Sequence, residues 1–86
     1  EPEGGTLALS VGPNPARGAA TAYVGTPAGP AVVAVYDALG RRVARVEVEG
    51  GASSVAVPLA GLSPGLYVVR LTAGSEARSV RLVVTR

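Results

Sequence analysis

What most constrains this chain is a two-residue alternation of small and β-branched apolar side chains, broken by Gly or Pro at short intervals along its whole length. Period two places alternate side chains on opposite faces of a strand, and no 3.6-residue helical period competes with it. Leu7, Leu9 and Val11 alternate as a first strand, and Ala20, Ala22 and Val24 as a second. The third and fourth run from Ala31 to Asp37 and from Arg41 to Glu49. Val55, Val57 and Leu59 mark the fifth, Tyr67, Val69 and Leu71 the sixth, and Val80, Leu82 and Val84 the seventh. About seven short strands separated by frequent turns predict an all-β antiparallel sandwich, with the alternating residues as its core. Glu1-Pro2-Glu3-Gly4-Gly5 has no apolar period and reads as a linker remnant, so the domain is expected over residues 6–86.

The fourth strand breaks its own phase. Val43 lies on one parity and Val46 and Val48 on the other, so a bulge near Ala44 and Arg45 would keep all three in the core; the alternative is a Val43 partly exposed at an edge. Asp37-Ala38-Leu39-Gly40-Arg41 has the pattern of a type I turn closed by a Gly with positive φ, with Asp37 capping the turn amides and Arg41 returning opposite it. Glu49-Gly50-Gly51-Ala52 suits a two-residue primed hairpin and Ala73-Gly74-Ser75-Glu76 another short one, which argues for hairpins joined by Greek-key crossings. Ser63-Pro64-Gly65-Leu66 places Pro second and Gly third, as a type II turn requires. Tyr67 follows at once, and Leu62 to Tyr67 resembles the tyrosine corner of immunoglobulin and fibronectin type III sandwiches, in which a Tyr hydroxyl bonds upstream backbone. The expected fold is therefore an immunoglobulin-like sandwich in which Tyr67 is architecture.

Composition narrows the chemistry. With no His, Cys or Lys among 86 residues, there is no imidazole base, thiolate, ordinary zinc site, disulfide or Schiff-base amine. One Asp and five Glu are too few and too scattered to suggest a calcium cage or a pair of glycosidase carboxylates. No enzyme, cofactor or metal is expected, and a small domain with little surplus of apolar burial is not expected to open a deep pocket. The formal charge of +2 rests on eight Arg spread among Glu47, Glu49 and Glu76. Those arginines read as solvated strand faces, because phosphate tracking needs a dense basic stripe and stacking aromatics, and only Tyr23, Tyr36 and Tyr67 are present. No nucleic-acid partner is expected. The longest apolar run, Ala31 to Tyr36, is too short to span a bilayer. A narrow alphabet with one Asn and no Gln, Cys or Met suits a hot environment, and equally a GC-rich genome.

Three motifs occur in order: Pro13-Asn14-Pro15 after the first strand, Val35 to Val43 around Asp37-Ala38-Leu39-Gly40-Arg41, and Leu62 to Leu71 around Pro64-Gly65-Leu66-Tyr67. A basic and hydrophobic final segment, Ser79 to Arg86, completes them. Together they resemble the C-terminal sorting domain of the type IX secretion system (the Por secretion system), type A-like, found at the ends of proteins exported by Bacteroidetes and their relatives. Pro13, Asn14, Pro15, Asp37, Gly40, Arg41, Gly65, Tyr67 and Arg81 occupy matching motif positions. Two positions depart from the pattern: the aromatic that commonly follows Pro-Asn-Pro is Ala16 here, and Arg81 stands for the frequent terminal Lys.

The resemblance implies a folded address label on a covalently linked N-terminal passenger, and the missing initiator Met accords with a piece of a larger protein. It implies transit through the periplasm, passage across the outer membrane through translocon components, and arrival at the cell surface or in the extracellular medium. It also implies a sortase-like peptidase that cuts in or before Glu1 to Gly5, and a monomeric domain. A final strand with an open edge could meet the translocon by strand addition. Two other readings remain at this point: an accessory or carbohydrate-binding module of a secreted polysaccharide-degrading enzyme, which needs aligned aromatics, and a passive immunoglobulin-like spacer.

Overall fold

The computed structural model describes residues 8–25 and 29–85. The expected linker, Leu7 and Arg86 lie outside the described residues. Seven strands follow one another: β1 (Ser10–Gly12), β2 (Ala20–Tyr23), β3 (Ala31–Tyr36), β4 (Arg42–Val48), β5 (Ser54–Val57), β6 (Gly65–Ala73) and β7 (Glu76–Val84). They form two antiparallel sheets, one of three strands ordered β1-β2-β5 and one of four ordered β4-β3-β6-β7. The β3–β4 and β6–β7 hairpins sit side by side in the larger sheet, and the chain crosses between sheets after β2, β4 and β5. The expected all-β sandwich with hairpin and Greek-key connections is the observed fold.

Alternation decides which side chains meet between the sheets. Val33, Val35, Val69, Leu71 and Leu82 are fully buried, and Ala20, Ala22, Val24, Val57, Leu59, Tyr67 and Val84 complete most of the core. Leu9, Val11, Val55 and Val80 are only partly buried and pack at its margin. With no Trp, Phe, Ile or Met, the largest fully buried side chains are Leu71 and Leu82. Alanines at Ala20, Ala22 and Ala31 fill the remaining inward sites. β3 lies between β4 and β6, and its run Ala31 to Val35 is buried at four of five positions, which explains why it reads as a continuous apolar run rather than an alternation.

Three local expectations are corrected. The bulge in β4 exists, but its extra residue is Val43: Tyr36 pairs with Arg42 and Val35 with Ala44. Val43 is 38% exposed, and Ala44 takes the inward site beside Val46 and Val48. An edge strand can spend a Val on solvent, because the bulge twists it and no neighbour covers it. Glu49 to Ala52 is not a hairpin, since β4 and β5 belong to different sheets. Ala52 N–H donates to the Glu49 carbonyl at 3.1 Å, and only the second glycine, Gly51, has positive φ (+87°). That geometry splays the flanking strands, which suits a crossing between layers. The third concerns Ser63 to Leu66. Gly65, at φ +155°, is the first residue of β6 and pairs with Val84, so no type II turn forms there. The turn with a glycine in third place lies earlier, where Leu62 N–H donates to the Leu59 carbonyl at 3.1 Å and Gly61 has φ +81°.

The opposite placement of Leu71 and Val43 gives a direct check. Leu71→Ala should lower stability by about 2–5 kcal/mol, whereas Val43→Thr should change it by less than about 0.5 kcal/mol. Urea denaturation midpoints of the two variants measure the difference, and comparable losses would mean that β4 is registered one residue away from the arrangement described.

Candidate functional site

Pairing gathers motifs that are far apart in the sequence at one end of the four-stranded sheet. Tyr36, just before the β3–β4 turn, pairs with Val68, and Val68 pairs with Arg81. Gly65 pairs with Val84 and Tyr67 with Leu82, so the start of β6 lies beside the end of β7. Pro13-Asn14-Pro15 then borders β7 on its other side.

That border is a clasp built from the side chain of Asn14 and the backbone of Ala16. The Asn14 side-chain NH2 donates to the Arg81 carbonyl at 2.9 Å, and its Oδ1 accepts from Val83 N–H at 3.1 Å. Two residues on, Ala16 N–H donates to the Val83 carbonyl at 2.7 Å, and Thr85 N–H donates to the Ala16 carbonyl at 2.8 Å. The Thr85 hydroxyl adds a bond to the same carbonyl at 3.2 Å. Prolines on both sides of Asn14 narrow its backbone freedom and remove two N–H donors. Ala16 bridges Val84 in parallel register and is fully buried, so a methyl group fills this position against the core. The edge of β7 from Arg81 to Thr85 is therefore closed. Strand addition along the whole final strand is blocked there, and the outward backbone groups that the clasp leaves over are those of Ala77 and Ser79 and the Arg81 N–H, with the Ala77 carbonyl accepting from the Arg78 guanidinium at 3.0 Å.

The β3–β4 turn is held by Asp37. Gly40 N–H donates to the Asp37 carbonyl at 2.9 Å, Asp37 N–H donates to the Arg41 carbonyl at 2.9 Å, and Gly40 has φ +84°. One carboxylate oxygen of Asp37 accepts from Leu39 N–H at 3.0 Å and from Arg41 N–H at 2.9 Å. The other accepts from the Arg41 guanidinium, also at 2.9 Å. The Arg41 amide, then its guanidinium and the Leu39 amide, hold the Asp37 carboxyl below its ordinary value against the opposing effect of desolvation. The motif residues Asp37, Gly40 and Arg41 thus form one closed unit, and its tip presents Leu39, 78% exposed.

Tyr67 is buried, and its hydroxyl donates to the Ser63 carbonyl at 2.6 Å, the bond expected of a tyrosine corner. It pins the loop that leads into β6, which places Gly65 beside Val84. Tyr23 lies on the three-stranded sheet and Tyr36 on the four-stranded one, so the three tyrosines make no common platform for a sugar. Sequence reasoning missed Ala16, Val83 and Thr85 as members of the clasp. Their contacts are backbone bonds between segments nearly seventy positions apart, and no local pattern marks them.

A model of the family described as the secretion system C-terminal sorting domain matches residues 10–85. Among curated proteins, none matches the chain.

Two outcomes test this geometry. Asn14→Ala removes both side-chain bonds to β7, so the Val83 amide should exchange with solvent faster while the ladder amides facing β6 keep their protection, at an overall cost of about 1 kcal/mol. Hydrogen exchange read residue by residue decides it, and unchanged protection at Val83 would remove the clasp from the account. Asp37 ionises more readily folded than unfolded, so its stabilisation is fully present above the ordinary carboxyl value of 3.8 and is lost as the pH falls through the depressed folded value. Asp37→Asn should accordingly be less stable than the parent at neutral pH, with the gap closing in acid. Urea midpoints across that range measure it, and a gap independent of pH would contradict the assignment.

Proposed function

Because this chain belongs to the C-terminal sorting domains of the type IX secretion system, we propose that it is the folded label by which a covalently linked passenger is led through the periplasm and across the outer membrane to the cell surface. Membership implies involvement with that secretion system, a linked passenger and export toward the cell surface, and a sorting-domain family is not a catalytic one. The observation that carries the reading is the family match, which covers all seven strands.

The finer steps follow from what such a label must do. Translocon components of the outer membrane read the domain, and a sortase-like peptidase removes it by cutting in or before Glu1 to Gly5. A sequence of Gly, Pro and Glu carries no apolar residues to pack, and a hydrogen-bonded sandwich resists cutting, which favours a cut ahead of the strands. Pro13, Asn14, Pro15, Asp37, Gly40, Arg41, Gly65, Tyr67 and Arg81 contribute by building the end of the sheet that is read. Asn14, Asp37 and Tyr67 each spend their polar atoms on this chain's own backbone, which supports a role in shaping the label rather than in touching a partner.

Fusing residues 1–86 behind a periplasmic reporter, in a host with a working type IX apparatus, should send the reporter to the surface or the medium. Deleting Val80 to Arg86, which removes Leu82 and Val84 from the core and the strand that Asn14 clasps, should hold it in the periplasm. Retention of the intact fusion while the host's own substrates leave would overturn the proposal.

A further inference from the structure

We propose that the outer face of the four-stranded sheet is a docking surface for an acidic segment of a partner protein. Cross-strand register places side chains of that face in rows, since residues directly opposite one another share a face. The row nearest the clasped end runs Arg42, Tyr36, Val68, Arg81. With strands about 4.8 Å apart, an arginine thus stands at each end of an apolar pair, on backbones about 14 Å apart. In the next row Ala34 lies between Arg45 and Arg70, and it is buried although it belongs to the outer face. Beside these rows lies an open depression bounded by Tyr36, Leu66, Val68 and Arg70 together with the β3–β4 turn.

Charge on this face is polarised, and three of its arginines are uncompensated among the described residues. Arg45 pairs with Glu47 at 3.4 Å and Arg41 with Asp37, whereas Arg42, Arg70 and Arg81 have no carboxylate within ion-pair distance among the described residues. Glu47 lies one row further on, opposite Val32, and Glu49 follows beyond the end of β4. Three free guanidiniums around Tyr36 and Val68 match a chain that alternates carboxylates with apolar side chains: the acids reach the arginines and the apolar groups enter the depression. Tyr and Arg around an apolar centre are also the composition of protein interfaces. A bilayer is the poorer occupant, because Leu39 at the turn tip projects alone, whereas membrane contact needs a broad apolar face beyond the charges, and on the sheet the apolar side chains line a depression between them. The inference deepens the sorting reading and rests on it for the partner's role, but not for the partner's chemistry.

The test uses isotope-labelled chain and three probes: a short peptide alternating Glu with Val, its counterpart alternating Lys with Val, and phosphatidylglycerol vesicles. The acidic peptide should shift the amides of Tyr36, Val68 and Arg70, bind more weakly as salt rises, and lose about tenfold in affinity to the variant R42E/R70E. That variant should keep the parent's denaturation midpoint, since neither side chain is ion-paired in the fold. Equal binding of the two peptides, salt-independent binding, shifts confined to the other sheet, or binding to vesicles without binding to the peptide would overturn the proposal. Both peptide comparisons and the salt series use the unaltered chain, so they decide the matter even if the variant does not fold. Export of the intact fusion together with no preference for the acidic peptide would sink this surface and leave the sorting reading standing; retention of the fusion with selective acidic binding would do the reverse.

Discussion

The pairing of β3 with β6 is the constraint from which the remaining geometry follows. Val33 lies opposite Leu71 and Val35 opposite Val69, all four fully buried, so a slip of β6 by one residue would turn Val69 and Leu71 outward and face Val33 or Val35 with Arg70. Each of these strands carries its own hairpin partner, β4 on one side and β7 on the other. Once the central register is set, Tyr36, Val68 and Arg81 fall into line without further instruction. The three-stranded sheet then needs only to supply Ala20, Ala22, Val24 and Val57 as a lid over the same core.

A core of Val, Ala and Leu has a cost that the loops help to offset. Small side chains leave little area per residue to bury, so a sandwich of this size depends on polar fastenings at its ends. Three such fastenings are visible, at Asn14, Asp37 and Tyr67, and each satisfies backbone groups that strand pairing leaves over. They cluster at the end of the sheet where β3 stops, β6 starts and β7 finishes. At that end the polar side chains of Asn14, Asp37 and Tyr67 hold a shape by bonding this chain's own backbone.

Legibility in the sequence followed the range of the interaction. The Asp37 to Arg41 turn could be read in full, because donors, acceptors and the glycine all lie within five consecutive residues. Strand faces were legible for the same reason, since alternation is local. The parity slip in β4 announced a bulge but not its position: Ala44 is small enough to read as either an inward or an outward residue, and only the edge location of β4 let Val43 face solvent. At Gly65 a local pattern was overruled, because the Pro-Gly pair favours a turn while the ladder with Val84 extends the chain. The bonds from Asn14 to Arg81 and Val83 span 67 and 69 positions and could not be foreseen from either segment.

The clasp also bears on how copies of this domain treat one another. An unpaired strand edge is an invitation to any extended chain, and the invitation is strongest where the edge is long, flat and apolar. Val80 to Val84 is such a stretch, and Asn14 and Ala16 occupy it from within the same molecule. At the opposite border of the sheet, the kink at Val43 and the charges of Arg42, Arg45 and Glu47 spoil the other candidate template. Crowded together, such molecules have little flat backbone on which to stack along the four-stranded sheet. A label built from short Val-bearing strands therefore keeps both edges of its larger sheet from serving as a template for another copy.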